Sequence, residues 1–540
     1  MKRKIIIGSR GSELALWQAN YTKTLLEELE QEVEIRIIQT EGDRSQTWGT
    51  SFDKLEGKGF FTKELEEALL NKSIDLAVHS HKDLPTENPY GLIVAGVSKR
   101  EDPSELLLAR KDILDEKEKF GIRKNALVGT SSARRKSQLL AFRPDLQIKD
   151  LRGNVPTRIQ KLREGQYDAI LLASAGVERL GINLEEFHSN HLSPFEFIPA
   201  PAQGVLAWQC REDDDLVLEL IDQINDFDVR VKVNIEREVL SLFDGGCQLP
   251  LGAYCISETD EEDRLKFRLW LSVAESWDQQ PKQFYFETLD TDGFTDQVVD
   301  HVKGLKPKKV FITKNLHDDD YLPRALSKLG FSIEGKSLIE FKMIRIKELP
   351  KTDWIFFSSK HAVRYFFKQK PQTGAVKYAC LGTGTSAELR AHGHRADFIG
   401  QSTDTKLVGK QFSSKVGNAK VLFPIARGSL QSIQRQMLKW DNVFNLEVYA
   451  TLKQSVQMGD DVNVIVFTSP SNVEAWFEKN SWKPHHQAVA MGDATGKMLE
   501  KFKVKTYAKP QSFDDLGLVQ AILSLPNVSA PENSESVKES

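Results

Sequence analysis

Cysteine is scarce in this chain. There are four in 540 residues, Cys210, Cys247, Cys255 and Cys380, and no two form a CxxC pair. That excludes a disulfide framework and a paired-cysteine zinc site, and it points to a reducing compartment. Long apolar runs are lacking as well. None approaches the ~20 residues that span a bilayer, and the stretch Met1 to Arg10 offers only Ile5 to Ile7, too short for a secretory leader. Charge of one sign is lacking too. Against 73 Lys and Arg stand 77 Asp and Glu, a formal net charge of −4, so no global field favours nucleic acid. The chain reads as a cytoplasmic protein without a nucleic-acid or membrane partner. Any anion it binds must be held by local arginine clusters. Its length asks for roughly three to five domains.

Arginine recurs at strand-to-helix turns. Lys4 to Gly8 reads as a short strand, Ser9-Arg10-Gly11-Ser12 as a turn, and Leu14, Trp17, Tyr21, Leu25 and Leu29 recur at helical spacing. Ser12 suits the N-cap. A strand, a small-residue turn and a helix N-terminus together form an anion site, because free N–H groups and the helix dipole point into the turn. The device repeats. Thr130-Ser131-Ser132 precedes Arg134 and Arg135, Arg152-Gly153-Asn154 precedes a helix carrying Arg158, and Ser174-Ala175-Gly176 leads to Arg179. Cations at a helix N-terminus oppose the dipole, so a bound anion explains them better than helix stability does. Arginine suits planar carboxylates. The implied ligand is small and carries several carboxylates or phosphates.

The strand Ile74 to Val78 runs into His79-Ser80-His81-Lys82-Asp83-Leu84-Pro85. These polar residues fall at a strand's C-terminal end, where open α/β sheets place ligands. Asp83, beside Lys82 on a loop stiffened by Pro85, is the candidate for acid–base or electrostatic work. His79 and His81 have no further ligand at metal spacing, so no metal is expected. The long glycine-containing loop Trp48 to Gly59 reads as an active-site lid. Gln203, in the extended segment Phe197 to Gln209, is a polar contact, and Leu216 to Phe243 reads as one helix. Next comes Asp244-Gly245-Gly246-Cys247. Its glycines allow an exposed tight loop, and its thiol is a nucleophile or an attachment point. Leu265 to Val273 and Gln283 to Leu289 read as strands of a small α+β domain, closed by a helix to about Val302.

Beyond the basic linker at 303–309 a second α/β pattern contains a repeat. Phe357-Ser358-Ser359 to Val363 matches Phe467-Thr468-Ser469 to Val473, and Gly382 to Thr385 matches Gly492 to Thr495, both 110 residues apart. Two strand–turn–helix pairs at one offset suggest two similar lobes with a cleft between them.

Residues 1 to about 300 resemble hydroxymethylbilane synthase, also called porphobilinogen deaminase. The resemblance rests on Ser9-Arg10-Gly11-Ser12 with Leu14-Ala15, Gly57-Lys58-Gly59, His79-Ser80 with Lys82-Asp83, Ser131 to Arg135, Leu151-Arg152-Gly153-Asn154 and Gly245-Gly246-Cys247. Residues from about 308 to 525 resemble uroporphyrinogen-III synthase, through the two repeated turns and Glu447-Val448-Tyr449-Ala450-Thr451. One departure is Thr313-Lys314-Asn315, where that family more often has Thr-Arg-Pro.

The resemblance implies two consecutive reactions. Cys247 carries a dipyrromethane cofactor by a thioether. Each porphobilinogen loses ammonia to give an azafulvene, which the free α-carbon of the growing chain attacks, and hydrolysis releases the linear tetrapyrrole after four additions. Asp83 and Lys82 serve catalysis. Arg10, Arg134, Arg135, Arg152, Arg158 and Arg179, with Ser12, Ser80, Thr130, Ser131, Ser132, Gly153 and Gln203, surround the acidic side chains. The second half closes hydroxymethylbilane into a ring while inverting the last pyrrole, using Tyr449 with Ser358, Ser359, Thr468 and Ser469, and positioning supplies most of the rate.

The expected fold class is α/β in two bilobal halves. The first is a binding-protein-like pair of domains, 1–105 with 197–215 and 106–196, plus a small α+β cofactor-attachment domain at 216–302. The second has one lobe at 310–343 with 452–525 and another at 344–451. A disordered tail at 526–540 and a monomeric state complete the expectation. The rival readings are a non-catalytic bilobal binding protein, against which Cys247 and Asp83 argue, and a degenerate second half that only binds the product.

Overall fold

The computed structural model describes residues 3–40, 62–243, 249–260, 262–400, 405–429 and 431–527. The expected lid at Trp48 to Gly59, the Cys247 loop and most of the expected tail lie outside the described residues.

Five sheets organise the described residues. The first runs in the order Val33–Ile37, Ile5–Ser9, Leu76–Ser80, Leu206–Arg211, Leu92–Val97. Its first three strands are parallel, with Ile5 opposite Val33 and Ile7 opposite Leu76, while Leu206–Arg211 runs antiparallel to both neighbours. The second has the order Gln147–Lys149, Leu127–Gly129, Ala169–Ala173, Glu105–Ala109, His188–Leu192. In both sheets the central strands are apolar runs buried on both faces, as helices covering each side require. The chain therefore passes from the first sheet to the second after Val97 and returns before Leu206.

A three-stranded antiparallel sheet, Leu251–Thr259, Leu265–Val273 and Lys282–Thr288, makes the small domain. Its first strand escaped the sequence reading. Helix Phe227–Leu242 packs on it and presents Glu236, fully buried, to the crossing segments. Both Glu236 oxygens accept from Arg100 at 2.8 Å, and the carboxylate also accepts from the amides of Ala202 and Cys255. One carboxylate thus ties both crossings to the third sheet.

The single helix expected over Leu216 to Phe243 is two, Asp215–Ile224 and Phe227–Leu242. Asn225 is extended and its Oδ1 accepts from Val97 N, while Asp226 caps the second helix by accepting from Val229 N at 2.9 Å. Short polar side chains offer the backbone partners that compete with helix continuation.

The second half holds two sheets. One is fully parallel, Ser332–Gly335, Lys309–Ile312, Val464–Phe467, Gln487–Ala490. The other has the order Ile339–Met343, Val443–Lys453, Val421–Ala426, Trp354–Phe357, Lys377–Leu381, Phe398–Gly400. Ile339–Met343, expected at the end of the first lobe's leading segment, is hydrogen-bonded instead to Val443–Lys453, from Ile339 opposite Lys453 to Met343 opposite Tyr449. The chain leaves and re-enters as a two-stranded antiparallel ribbon, and the free edge of its Val443–Lys453 strand pairs with Val421–Ala426. The 110-residue repeat is visible. Strands Trp354–Phe357 and Val464–Phe467 each end in a serine N-cap, Ser359 accepting from Ala362 N and Ser469 from Asn472 N. Gly382 and Gly492 both open the next helix with positive φ, 76° and 92°.

Candidate functional site

The strand ends of the first two sheets bring cationic side chains together. Leu76–Ser80 closes into a single 3-10 turn, His81–Asp83, which leaves Lys82 half-buried and Asp83 exposed. Lys82 Nζ donates to Gln203 Oε1 at 3.2 Å. Gln203, buried, donates in turn to Pro103 O at 2.8 Å and to Glu105 Oε1 at 3.1 Å. Glu105 heads the second sheet's buried strand and is fully buried itself. It forms ion pairs with Arg134 at 2.5 Å and with Arg135 at 2.7 Å. Ser132 caps helix Ala133–Phe142 by accepting from Arg135 N, so both arginines occupy its first turn. Arg134 also donates to Ile198 O and Arg135 to Leu171 O.

This corrects one inference. The two arginines at that helix start already hold an internal anion, Glu105, so they do not by themselves demand a ligand. Glu105 is the residue the sequence reading missed. Its signal was a carboxylate leading the apolar run Leu106-Leu107-Leu108-Ala109, a place where a buried charge requires a cation.

What remains is a surplus of positive charge. Burial pushes Glu105 upward, but the charges of Arg135, Arg134 and Lys82 outweigh it and hold the carboxyl at about 2. Burial lowers Lys82 to about 8 against the opposing pull of Asp83. Burial and the nearby charge of Arg135 lower Arg158 to about 10, and its Nε donates only to the local carbonyl of Gly153, at 2.7 Å. Four cations, Lys82, Arg134, Arg135 and Arg158, thus share a neighbourhood with two carboxylates, Asp83 and Glu105. Burial lowers Lys82, Arg134 and Arg158 alike, so added negative charge beside them would favour their charged forms.

The other expected residues are distributed more widely. Arg10 is half-buried at the end of the first strand, and its charge reaches His79. Arg152 is half-buried, beside Gly153 at φ 114°, where a Cβ would meet Thr157 Cγ2 at 2.7 Å. Arg179 donates to Gly204 O at 2.8 Å and lies over the Trp17 ring. Ser12 caps its helix, and Ser80 Oγ accepts from Gln18, a second residue the sequence reading missed. Ser131 exchanges hydrogen bonds with the Leu151 backbone, and Thr130 Oγ1 accepts from Ser132 N. Burial lowers His79 to about 4, and it bonds Gln209. Asp102, Glu178 and His191 do bring ligand atoms within 4.8 Å of one another. Asp102 also accepts from the amide and hydroxyl of Ser104, the residue before Glu105, and His191 Nδ1 is already engaged by Asp102 and Ser174.

Burial pushes the thiols of Cys210, to about 12, and of Cys255 and Cys380 upward, so no described cysteine offers a thiolate.

In the second half, Ser358 and Ser359 follow strand Trp354–Phe357, and Thr468 and Ser469 follow Val464–Phe467. Tyr449 comes from the ribbon and places its Oη 3.3 Å from Ser359 Oγ. Thr468 is committed to the backbone, donating to Thr313 O while its amide donates to Thr313 Oγ1. Lys314, at the departure from the family pattern, pairs with Asp515 at 2.7 Å.

Fold and site define two joined α/β units, the first with cationic side chains gathered at the strand ends of its two sheets. Residues 5–219 match the family model described as porphobilinogen deaminase, dipyromethane cofactor binding domain, and residues 320–520 the model described as uroporphyrinogen-III synthase HemD. A porphobilinogen deaminase of Sulfurimonas denitrificans is 46% identical over 252 residues, 46% of this chain and 78% of the relative. Among solved structures, uroporphyrinogen-III synthetase from Helicobacter pylori aligns at 16% identity over 40% of this chain and 99% of its own, with a TM-score of 0.31. An arginine-specific periplasmic binding protein of Salmonella typhimurium aligns at 13% identity over 43% and 97%, with a TM-score of 0.26. The chain belongs to the porphobilinogen deaminase family through its first half, and that half is joined to a uroporphyrinogen-III synthase half. The match spanning both second-half lobes does not favour a degenerate pair.

Proposed function

We propose that the first half joins four porphobilinogen units into a linear tetrapyrrole with loss of ammonia, and that the second closes this product into a ring with the last pyrrole inverted. The observation that carries the first part is the surplus of positive charge where buried Arg134 and Arg135 and half-buried Lys82 and Arg158 outnumber the carboxylates Asp83 and Glu105. Acetate and propionate groups fit such a surplus, with arginines gripping carboxylates in the plane of the guanidinium.

The dipyrromethane cofactor, when bound, supplies the free α-carbon from which the chain grows. Cys247, in the motif Gly245-Gly246-Cys247, is its attachment point, a reading that the burial of Cys210, Cys255 and Cys380 supports. Lys82, Arg134, Arg135 and Arg158, with Arg10, Arg152 and Arg179 around them, hold the acidic side chains. Asp83, exposed at its strand end, accepts from pyrrole N–H groups and opposes the positive charge that develops as each amine departs. In the second half Tyr449 and Ser359 orient the linear substrate, with Ser358, Thr468 and Ser469 across the lobes. Burial raises the Tyr449 phenol, so it acts as a neutral donor. Sparse cysteine, with no CxxC pair, supports a protein of a reducing compartment.

The test is the intact mass of the purified full chain beside a Cys247→Ser variant. Added mass of two linked pyrrole units, absent from the variant, is expected. If the mass stays unmodified after incubation with porphobilinogen, the attachment is wrong. Incubation of the full chain with porphobilinogen should yield mainly the inverted ring isomer, and a product with the isomer ratio of spontaneous closure would remove the second activity.

A further inference from the structure

The second half touches the first through more than its linker. Helix Asp515–Leu523, near the end of the chain, lies along Lys282–Thr288, the edge strand of the small-domain sheet. An edge strand leaves amides unpaired, and here Tyr285 N donates to Ser524 Oγ at 3.0 Å. His301 Nε2 donates to Leu523 O at 2.8 Å. Phe284, Val298 and Val302 of the small domain share one continuous buried cluster with Leu518, Val519 and Ile522 of that helix.

A second helix, Tyr321–Lys328, reaches a different domain. The Tyr321 ring stacks on Phe142, centroids 5.0 Å apart and planes 20° apart, while its Oη donates to Gln283 of the edge strand at 3.0 Å. Arg324 Nη2 donates to Ala141 O at 2.9 Å. Ala141 and Phe142 end helix Ala133–Phe142, whose first turn carries Arg134 and Arg135. A guanidinium at a helix C-terminus satisfies orphan carbonyls and complements the dipole.

We propose that the synthase lobe built from these helices is a brace for the deaminase half. It grips the arginine-bearing domain at Ala141 and Phe142 and the small domain along Lys282–Thr288, and so fixes the two against each other. Domains within one chain move relative to one another unless their interface is large and apolar, and this lobe supplies an apolar join to the small domain and a polar clamp to the other. The contacts stand whatever reaction the cleft performs.

Two measurements on the full chain test this. A protease site inserted between Leu305 and Lys306 allows the folded protein to be cut at the linker. The brace requires both fragments to elute together in gel filtration at micromolar concentration, and separate elution would overturn it. Hydrogen exchange then tests the grip on the arginine-bearing helix. Arg324→Ala should speed exchange at the amides of Leu139 to Arg143 by about tenfold or more, while Lys328→Ala, on the exposed side of the same helix, leaves them unchanged. Equal rates in both variants would refute a clamp on that helix.

Discussion

Glu105 and Arg134 form an ion pair at 2.5 Å in which the carboxylate side chain is 0% exposed and the guanidinium 7%. Arg135 closes on the same carboxylate from the other side. Breaking such a pair from one end leaves charges buried without compensation, which costs about 3–5 kcal/mol. Glu105→Gln is therefore expected to destabilise the full chain by that order in urea denaturation. The pair also sets an acid limit. A carboxyl held low in the folded state stabilises fully above its unfolded value and loses that contribution as pH falls. For Glu105 the loss runs from about 4.5 down to about 2. Wild-type stability should fall across that window, and the Glu105→Gln variant should show a shallower fall.

If Lys82 holds a carboxylate of the ligand, it sets an alkaline limit on binding. Its ammonium is lowered to about 8 by burial. A polycarboxylate favours the charged form, so binding takes up a proton once the pH exceeds about 8. KM for porphobilinogen should therefore rise as pH increases through that value. Lys82→Arg, charged across the whole range, should flatten the rise. A KM profile identical in both proteins would remove Lys82 from the ligand.

Asp83 is exposed, so replacing it costs little structure, within about 0.5 kcal/mol. The proposed role sets its charge against the reacting pyrrole. Asp83→Asn is expected to lower kcat by roughly 100- to 1,000-fold, the range for one preorganised electrostatic contact. Asp83 also raises Lys82, so the variant should move the alkaline rise in KM to lower pH. Both effects are read from one set of pH-dependent kinetics.

The strand–turn–helix units were legible because their signals are local. An apolar run, a hydroxyl cap and a 3.6-residue stripe sit side by side in the sequence, and Ser12, Ser132, Asn154, Ser359 and Ser469 all cap helices. The 110-residue repeat was legible for the same reason. What escaped depends on partners far along the chain. Glu105 finds Arg134 through a sheet, Glu236 gathers Arg100, Ala202 and Cys255, and Gln18 finds Ser80. Leu251–Thr259 was missed because Tyr254 and Ile256 lie on a half-covered face while Ser257, on the opposite face, follows Ala253 and Cys255 and blurs the apolar alternation. The stripe on the first helix was displaced too. Its buried face is Gln18, Ala19, Thr22 and Leu26, since Trp208 donates its indole N–H to Thr22, while Trp17 stacks with Tyr21 beneath Arg179.

Tyr449 offers the test of the second half. Its ring lies against Tyr365 at 5.5 Å and meets the edge of Phe341, so its packing is aromatic on both sides and its hydroxyl is the part left for chemistry. Tyr449→Phe keeps the ring and removes the 3.3 Å contact with Ser359, a change of about 1 kcal/mol in stability. If the hydroxyl orients the linear tetrapyrrole before closure, the variant should form the linear product at the wild-type rate but close it with less inversion. Separating the ring isomers by chromatography reads this directly. Loss of the inverted isomer with unchanged consumption of porphobilinogen places the hydroxyl in ring closure. An unchanged isomer ratio assigns Tyr449 to the aromatic core alone.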